Sequence, residues 1–230
     1  MDLLAFMVST CFVVYRIKTL PPLMSSNNLE TSLRQSLQDG TSRDAQERVC
    51  TVTKDNVPTP EGNLRSEMRL KNLWHRATYI LVRHSGEDSD DDKILVQRRS
   101  MLKDYCPGKL DPTPGGVVGF GESYEENATR EIEEEMGIDL SEENPYRNRM
   151  NRLFQFSFED DRVKVWGEFW EATYNGPIEK LTLQTEEVAE ILSIPVKELQ
   201  ALLEKSPDKF LPDSRHAIQL YFERSAGERQ

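Results

Sequence analysis

The sequence predicts an α+β domain, a mixed β-sheet flanked by helices. Two observations carry that expectation. Strand-type runs come in pairs around polar turns, 77–82 with 93–97 and 153–158 with 163–174, which is hairpin patterning and argues against a purely parallel sheet. Segments with helical periodicity are interspersed among those strands, the clearest over 124–136, so sheet and helix share one core. No internal repeat competes with this reading.

The elements follow in order. Residues 3–15 (LLAFMVSTCFVVY) are largely apolar, yet too short for a comfortable membrane span. Asp2 stands where a signal peptide carries positive charge, and no clear small-x-small cleavage site follows. The stretch from Pro21 to about Arg48 is rich in Ser, Asn, Gln and charge and reads as a disordered linker or leader. Residues 1–47 are therefore expected to be a leader, with an organellar signal at 1–20 left open. The domain is expected over 48–225, its core at about 74–203. Residues 49–62 (VCTVTKDNVPTPEG) look like a strand, a turn and a return, and 66–73 like a short helix. ATYILV (77–82) and KILVQ (93–97) bracket an acidic turn, SGEDSDDD. That turn lacks the Gly and distal Glu spacing of a calcium hand, so a solvated turn is expected.

A turn-rich run, DYCPGKLDPTPGGVVGFG (104–121), precedes the main helix. Ser123 and Glu126 form a capping box. Tyr124, Ala128, Ile132 and Met136 make its buried stripe, and Gly137 is placed to end it. Beyond the second hairpin, 188–194 reads as a strand. Pro195 is expected at the first position of a helix through Leu203, and Asp213 or Ser214 as the cap of a last helix through Phe222.

The totals limit function. A net charge of −11 makes the chain a poor partner for nucleic acid polymers. Cys11, Cys50 and Cys106 show no metal-ligand spacing and no disulfide framework, which points to a reducing, cytoplasmic setting.

The helix carries the chemistry. At about 100° per residue, Glu131, Glu134 and Glu135 fall in an arc of roughly 100° at the edge of the apolar stripe, with Glu133 on the solvent side. Like charges at this spacing repel, and carboxylates bordering a core are the hard oxygen ligands that Mg²⁺ or Mn²⁺ takes. The glycines just upstream let backbone approach an ion or its ligand. A solvated acidic face is the alternative.

The upstream spacing favours the metal. From Gly116, Glu122 and Arg130 lead into REIEEEMGI, filling every position of the pattern Gx5Ex7REUxEExGU, in which U is aliphatic. The chain thereby resembles the Nudix hydrolases, whose box this is. The resemblance implies an α/β/α sandwich and hydrolysis of a diphosphate linkage in a small nucleoside-diphosphate-like or other organic compound, with Mg²⁺ or Mn²⁺. It implies Glu131, Glu134 and Glu135 as metal ligands, joined by the Gly116 carbonyl. Glu134 and Glu135 thereby stand in the catalytic machinery, with Glu122 and Arg130 bracing loop and helix. Further stretches (HRAT at 75–78, LVQRRSMLKDYCPGKLD at 95–111, RVKVWGEFW at 162–170) are similar to an uncharacterised bacterial branch of that family.

Type 1 isopentenyl-diphosphate isomerase, of the same superfamily, offers a second comparison. Arg99 and Lys103 match its diphosphate-binding pair, and charge-assisted contacts suit a diphosphate. His75 matches one of its metal histidines, although a histidine beside a strand is more often structural. The isomerase's catalytic cysteine falls on Gly115 and a metal histidine on Val117, so both groups are missing, and Cys106 reads as a packed thiol. Isomerase-like chemistry and a non-catalytic diphosphate-binding module are the alternatives to hydrolysis. Glu186, Glu187 and Glu190 are candidate general bases. Trp166 and Trp170 share a strand face and are expected in the core. The expected partner is a small diphosphate compound, with no stable membrane span and a homodimer left open.

Overall fold

The computed structural model describes residues 35–36, 44–84, 92–146 and 148–227. The apolar N-terminal segment and the acidic turn at 85–91 lie outside them. Among the described residues no helix is long and apolar enough to cross a membrane.

A small antiparallel pair opens the ordered chain: β1 (Arg48–Val49) with β2 (Asn63–Leu64), followed by helix α1 (Arg65–Lys71). The main sheet has six strands: β3 (Trp74–His84), β4 (Lys93–Arg99), β5 (Leu110–Asp111), β6 (Arg149–Glu159), β7 (Lys164–Tyr174) and β8 (Val188–Pro195). Their order is β5-β4-β3-β7-β6, with β8 on the other side of β4. β3 and β7 run parallel over their whole length, while the β6–β7, β3–β4 and β4–β8 pairs are antiparallel. The sheet is mixed, as the hairpin patterning predicts.

Strand alternation sorts side chains between two cores. Ala77, Tyr79 and Leu81 of β3 face helices α3 (Val196–Lys205) and α4 (Pro212–Gly227), packing with Leu199, Ala217 and Ile218. Ile80 and Val82 face helix α2 (Tyr124–Met136), packing with Ala128, Ile132 and Met136. The result is an α/β/α sandwich. Trp170 is buried in the α2-side core, whereas Trp166 is half-buried against it with its Nε1 donating to Lys54 O, and Cys106 is a buried free thiol.

Two helix starts differ from expectation. Pro195 is the N-cap of α3 and the last residue of β8, not the first helical residue. α4 begins at Pro212, and the Asp213 carboxylate accepts hydrogen bonds from the Tyr79 and Tyr105 hydroxyls.

One irregularity positions the site. β4 pairs with β3 only over Val82–His84 against Lys93–Leu95 and then diverges toward β5 and β8. The strip 114–118 fills the gap: Ile80 N donates to Pro114 O, Thr78 N to Gly116 O and Val118 N to Arg76 O, at 2.8, 2.9 and 2.9 Å. Residues 48–52 strap its far side, with Cys50 N donating to Val118 O and Phe120 N to Arg48 O. A cleft of about 390 Å³ lies where β3 and β4 part.

Candidate active site

α2 is fixed at both ends. The Ser123 hydroxyl accepts from Glu126 N, the Glu126 carboxylate accepts from Ser123 N, and Gly137 closes the helix at φ 66°. Buried Asn127 pins the helix to sheet and strip. It accepts from the Thr78 hydroxyl at 2.6 Å and donates to Val117 O at 3.1 Å and to the Glu122 carboxylate at 2.9 Å. Glu122 also accepts from Gly119 N at 2.7 Å. With two neutral donors and the Arg130 guanidinium on it, that carboxyl is held below its ordinary range despite partial burial.

Arg130 is the hub. It reaches Glu122 at 3.0 Å, Glu131 at 2.9 Å and Glu134 at 2.8 Å. The box glutamates divide accordingly. Glu131 and Glu135 are buried, whereas Glu134 is exposed beside Arg130 and Glu133 faces solvent. Burial pushes Glu131 up to about 7, with Arg130 opposing the rise and Glu187 adding to it. Glu135 lies deeper, accepting from the Gln97 amide at 3.2 Å, and burial followed by the Glu131 charge raises it further.

Among the described residues, no group of three or more His, Cys, Asp or Glu side chains stands in an array ready to hold a metal ion. Glu134, exposed at the rim of the cleft, is paired with Arg130. An i,i+4 pair of this kind is worth only ~0.2–0.5 kcal/mol, so Arg130 holds Glu134 weakly. The donor set still fits a hard divalent cation. Two buried carboxylates lie near one another, and burial disfavours their charged forms. Backbone also comes up against one of them: a Cβ on Gly116 would stand 2.1 Å from Glu131 Oε1. Gly116→Ala must therefore displace that carboxylate. We expect kcat/KM to fall about a hundredfold, as for an ångström-scale misplacement, with a stability loss of ~1–3 kcal/mol from overpacking. Steady-state kinetics and urea unfolding measure the two.

Arg99 and Lys103 face the same cleft as Arg130, Glu131 and Glu134. Both are more than nine-tenths buried. Arg99 Nε donates to Tyr105 O at 3.1 Å, and Lys103 Nζ lies 2.5 Å from Glu187 Oε2. Of the three candidate bases, Glu187 is the one among the cleft's lining residues. Glu190 pairs with Arg98 at 2.6 Å, and Glu186 is exposed. Lys103 keeps Glu187 below its ordinary value against the opposing effect of burial. His75 is 2% exposed, hydrogen-bonds Leu73 O through Nδ1 at 3.0 Å and is pushed down to about 3 by burial and then by Arg69, so it is neutral at working pH. Gly115 has φ 149°, and a Cβ there would stand 2.3 Å from Thr78 O.

Sequence reasoning missed Gln97, Asn127, Arg65, Arg69, Asp104 and Asp213, whose positions depend on distant segments. Arg65 and Arg69 alone left a signal, the i,i+4 spacing that puts both on one helix face.

Comparison with known proteins shows the family and the fold. The NUDIX domain model matches residues 73–214. An uncharacterised Nudix hydrolase from Yersinia pestis is 43% identical over 161 residues, covering 70% of this chain and 78% of its own. Another, YfcD of Escherichia coli K12, is 42% identical over 180 residues, covering 78% and 89%. Two solved structures share the fold. DR0079 of Deinococcus radiodurans has a TM-score of 0.55 at 21% identity and covers 70% of this chain and 90% of its own. A MutT protein of Methanosarcina mazei has a TM-score of 0.50 at 24% identity, covering 66% and 95%. With the family model spanning more than half of its length and relatives above 40% identity, the chain belongs to the Nudix hydrolase family.

Proposed function

We propose that the chain is a pyrophosphohydrolase that cleaves a small organic diphosphate with Mg²⁺ or Mn²⁺. The observation that carries this is that two charge sets line one cleft: Glu131 and Glu134 of α2, with buried Glu135 one turn on from Glu131, and Arg99 and Lys103 from the end of β4 and the segment after it. Glu131, Glu134, Glu135 and the Gly116 carbonyl would hold the metal. When bound, it would polarise phosphate oxygens and stabilise charge that develops on them. Arg99 and Lys103 bind the diphosphate by charge-assisted hydrogen bonds. Arg130 and Glu122 fix the helix against the loop. Glu187 lines the cleft and is held below its ordinary value by Lys103, which supports it as the carboxylate that accepts a proton from the attacking water.

The isomerase reading is disfavoured by Gly115. A side chain at that position meets the Thr78 carbonyl, so the backbone there has no room for a cysteine. Chromatographic product analysis on dinucleotide, nucleotide-sugar, coenzyme A and prenyl-diphosphate compounds tests the proposal, reading two phosphomonoesters where the diphosphate links two organic groups and a monophosphate with inorganic phosphate where it is terminal. We expect Mg²⁺-dependent cleavage of at least one class, abolished by EDTA. Binding without turnover on every class would favour a non-catalytic module, and rearrangement without diphosphate cleavage would revive the isomerase.

A further inference from the structure

Gln97 lies within β4, at a position that a buried strand ordinarily fills with an apolar side chain. It shares a strand face with Leu95, which packs in the α2-side core, and its neighbours across the sheet are Asp111 of β5 and Ile191 of β8. The residue is 0% exposed. A glutamine buried this deeply costs free energy unless its amide is fully hydrogen-bonded.

The amide is only half satisfied. Its Nε2 donates to Glu135 Oε2 at 3.2 Å and to Asp111 Oδ2 at 3.4 Å, while Oε1 is buried without a hydrogen-bond partner. Leu or Met would fill the same space and leave no such acceptor, so packing of the strand does not account for the glutamine. What the amide does is hold two carboxylates.

The far end of this bridge is anchored. Asp111 Oδ1 accepts from Thr113 N at 3.0 Å and from the Ser214 hydroxyl, which itself lies 2.7 Å from the Thr113 hydroxyl. An ionised carboxylate accepts hydrogen bonds and donates none. An amide facing two of them therefore keeps its nitrogen toward the pair and its oxygen away, which is the arrangement that leaves Oε1 unpaired.

Glu135 is one of the glutamates assigned above to a divalent cation. A carboxylate ligand binds best when its orientation is set before the ion arrives, and a hydrogen bond from a neighbouring group is the usual means. Here that bond engages Oε2 and leaves Oε1 for the ion. We propose that Gln97 is a positioning residue for metal binding: anchored on Asp111, its amide holds Glu135 so that one carboxylate oxygen is presented to the cation. The bridge ties the last turn of α2 to the β4–β5 pair. This rests on the pyrophosphohydrolase reading above, through its assignment of Glu135 to the metal.

Manganese alone is the probe, titrated into the full chain without substrate and followed by loss of the electron paramagnetic resonance signal of free Mn²⁺. Gln97→Met keeps the length of the side chain and removes the amide. It is expected to weaken Mn²⁺ binding about 10–100-fold, the usual cost of losing a group that orients a ligand. The Mn²⁺ concentration that half-saturates turnover should rise by a similar factor, with a smaller loss in kcat once Mn²⁺ saturates. In a Glu135→Gln background, Gln97→Met should add little, because Gln97 acts through that carboxylate. A merely structural role predicts a different pattern: a lower melting temperature in EDTA with Mn²⁺ affinity unchanged.

A folded Gln97→Met chain that binds Mn²⁺ within about twofold of wild type overturns the proposal. So does an undiminished effect in the Glu135→Gln background. If Gln97→Met does not fold, Gln97→Leu takes its place, and a crystal structure of the wild type with Mn²⁺ decides independently. The proposal requires Glu135 to hold the ion through one oxygen while Gln97 stays on the other, and a Glu135 that leaves Gln97 to reach the ion overturns it. A wild type that binds Mn²⁺ and cleaves diphosphates but fails these tests loses only the Gln97 assignment. One that passes them and cleaves nothing loses the hydrolase reading, and one that binds no Mn²⁺ loses both.

Discussion

Glu135→Gln is expected to lower kcat/KM by about 10²–10³, the equivalent of ~3–4 kcal/mol in the transition state, while leaving the fold intact. The side chain is 1% exposed, so its role does not depend on touching bulk water. Glutamine has the same shape, and its carbonyl can still accept from the Gln97 amide. What it lacks is the anionic oxygen that a divalent cation requires. Product-formation kinetics at saturating Mg²⁺ measure the loss, and thermal melts check that Tm stays within a few degrees. A Glu135→Gln chain with wild-type turnover would refute the metal assignment for this residue.

Asp104→Asn should have the largest effect on stability, a loss of ~3–5 kcal/mol, as for a buried ion pair deprived of one partner. Arg65 and Arg69 would then keep their buried charges with Glu47 as the nearest remaining counter-ion on α1's side. The pH dependence has a definite sign. The Asp104 carboxyl is held below its ordinary 3.8 in the folded chain, so its contribution is full above that value and is lost as the pH falls toward the lower folded-state value. Urea unfolding at pH 7 and pH 4.5 should show nearly the same difference between wild type and Asp104→Asn. The gap should close in stronger acid. A variant as stable as wild type at pH 7 would show that the cation cluster does not depend on this carboxylate.

Local rules make some of this molecule legible in its sequence. The capping box, the four-residue apolar stripe and Gly137 locate α2 to the residue, because each acts within a few positions. The second hairpin is equally readable, since period-2 alternation and a polar turn define β6 and β7. Helical angle groups Glu131, Glu134 and Glu135, but cannot show that Glu131 and Glu135 are buried while Glu134 is exposed and paired with Arg130. Three glutamates near β8 look equivalent in one dimension. The β4–β8 register sets Glu190 beside Arg98, and the Ser100–Glu187 backbone contact brings Glu187 to the cleft. The cluster of Arg65, Arg69 and Asp104 is invisible to spacing. It exists because α1 and the segment after β4 meet over the start of β3, and such long-range encounters carry no periodic trace.

The strap at residues 48–52 bears on where the working unit begins. Trimmed to residues 73–214, the strip carrying Gly116 would lose Cys50 N as a donor and Arg48 O as an acceptor. The small cluster of Val49, Met68 and Val117 would open to water. A bare strand edge of that kind is a template for pairing with other chains. The segment ahead of the matched domain thus works as an edge cover, keeping the glycine strip from recruiting a strand from a neighbouring molecule.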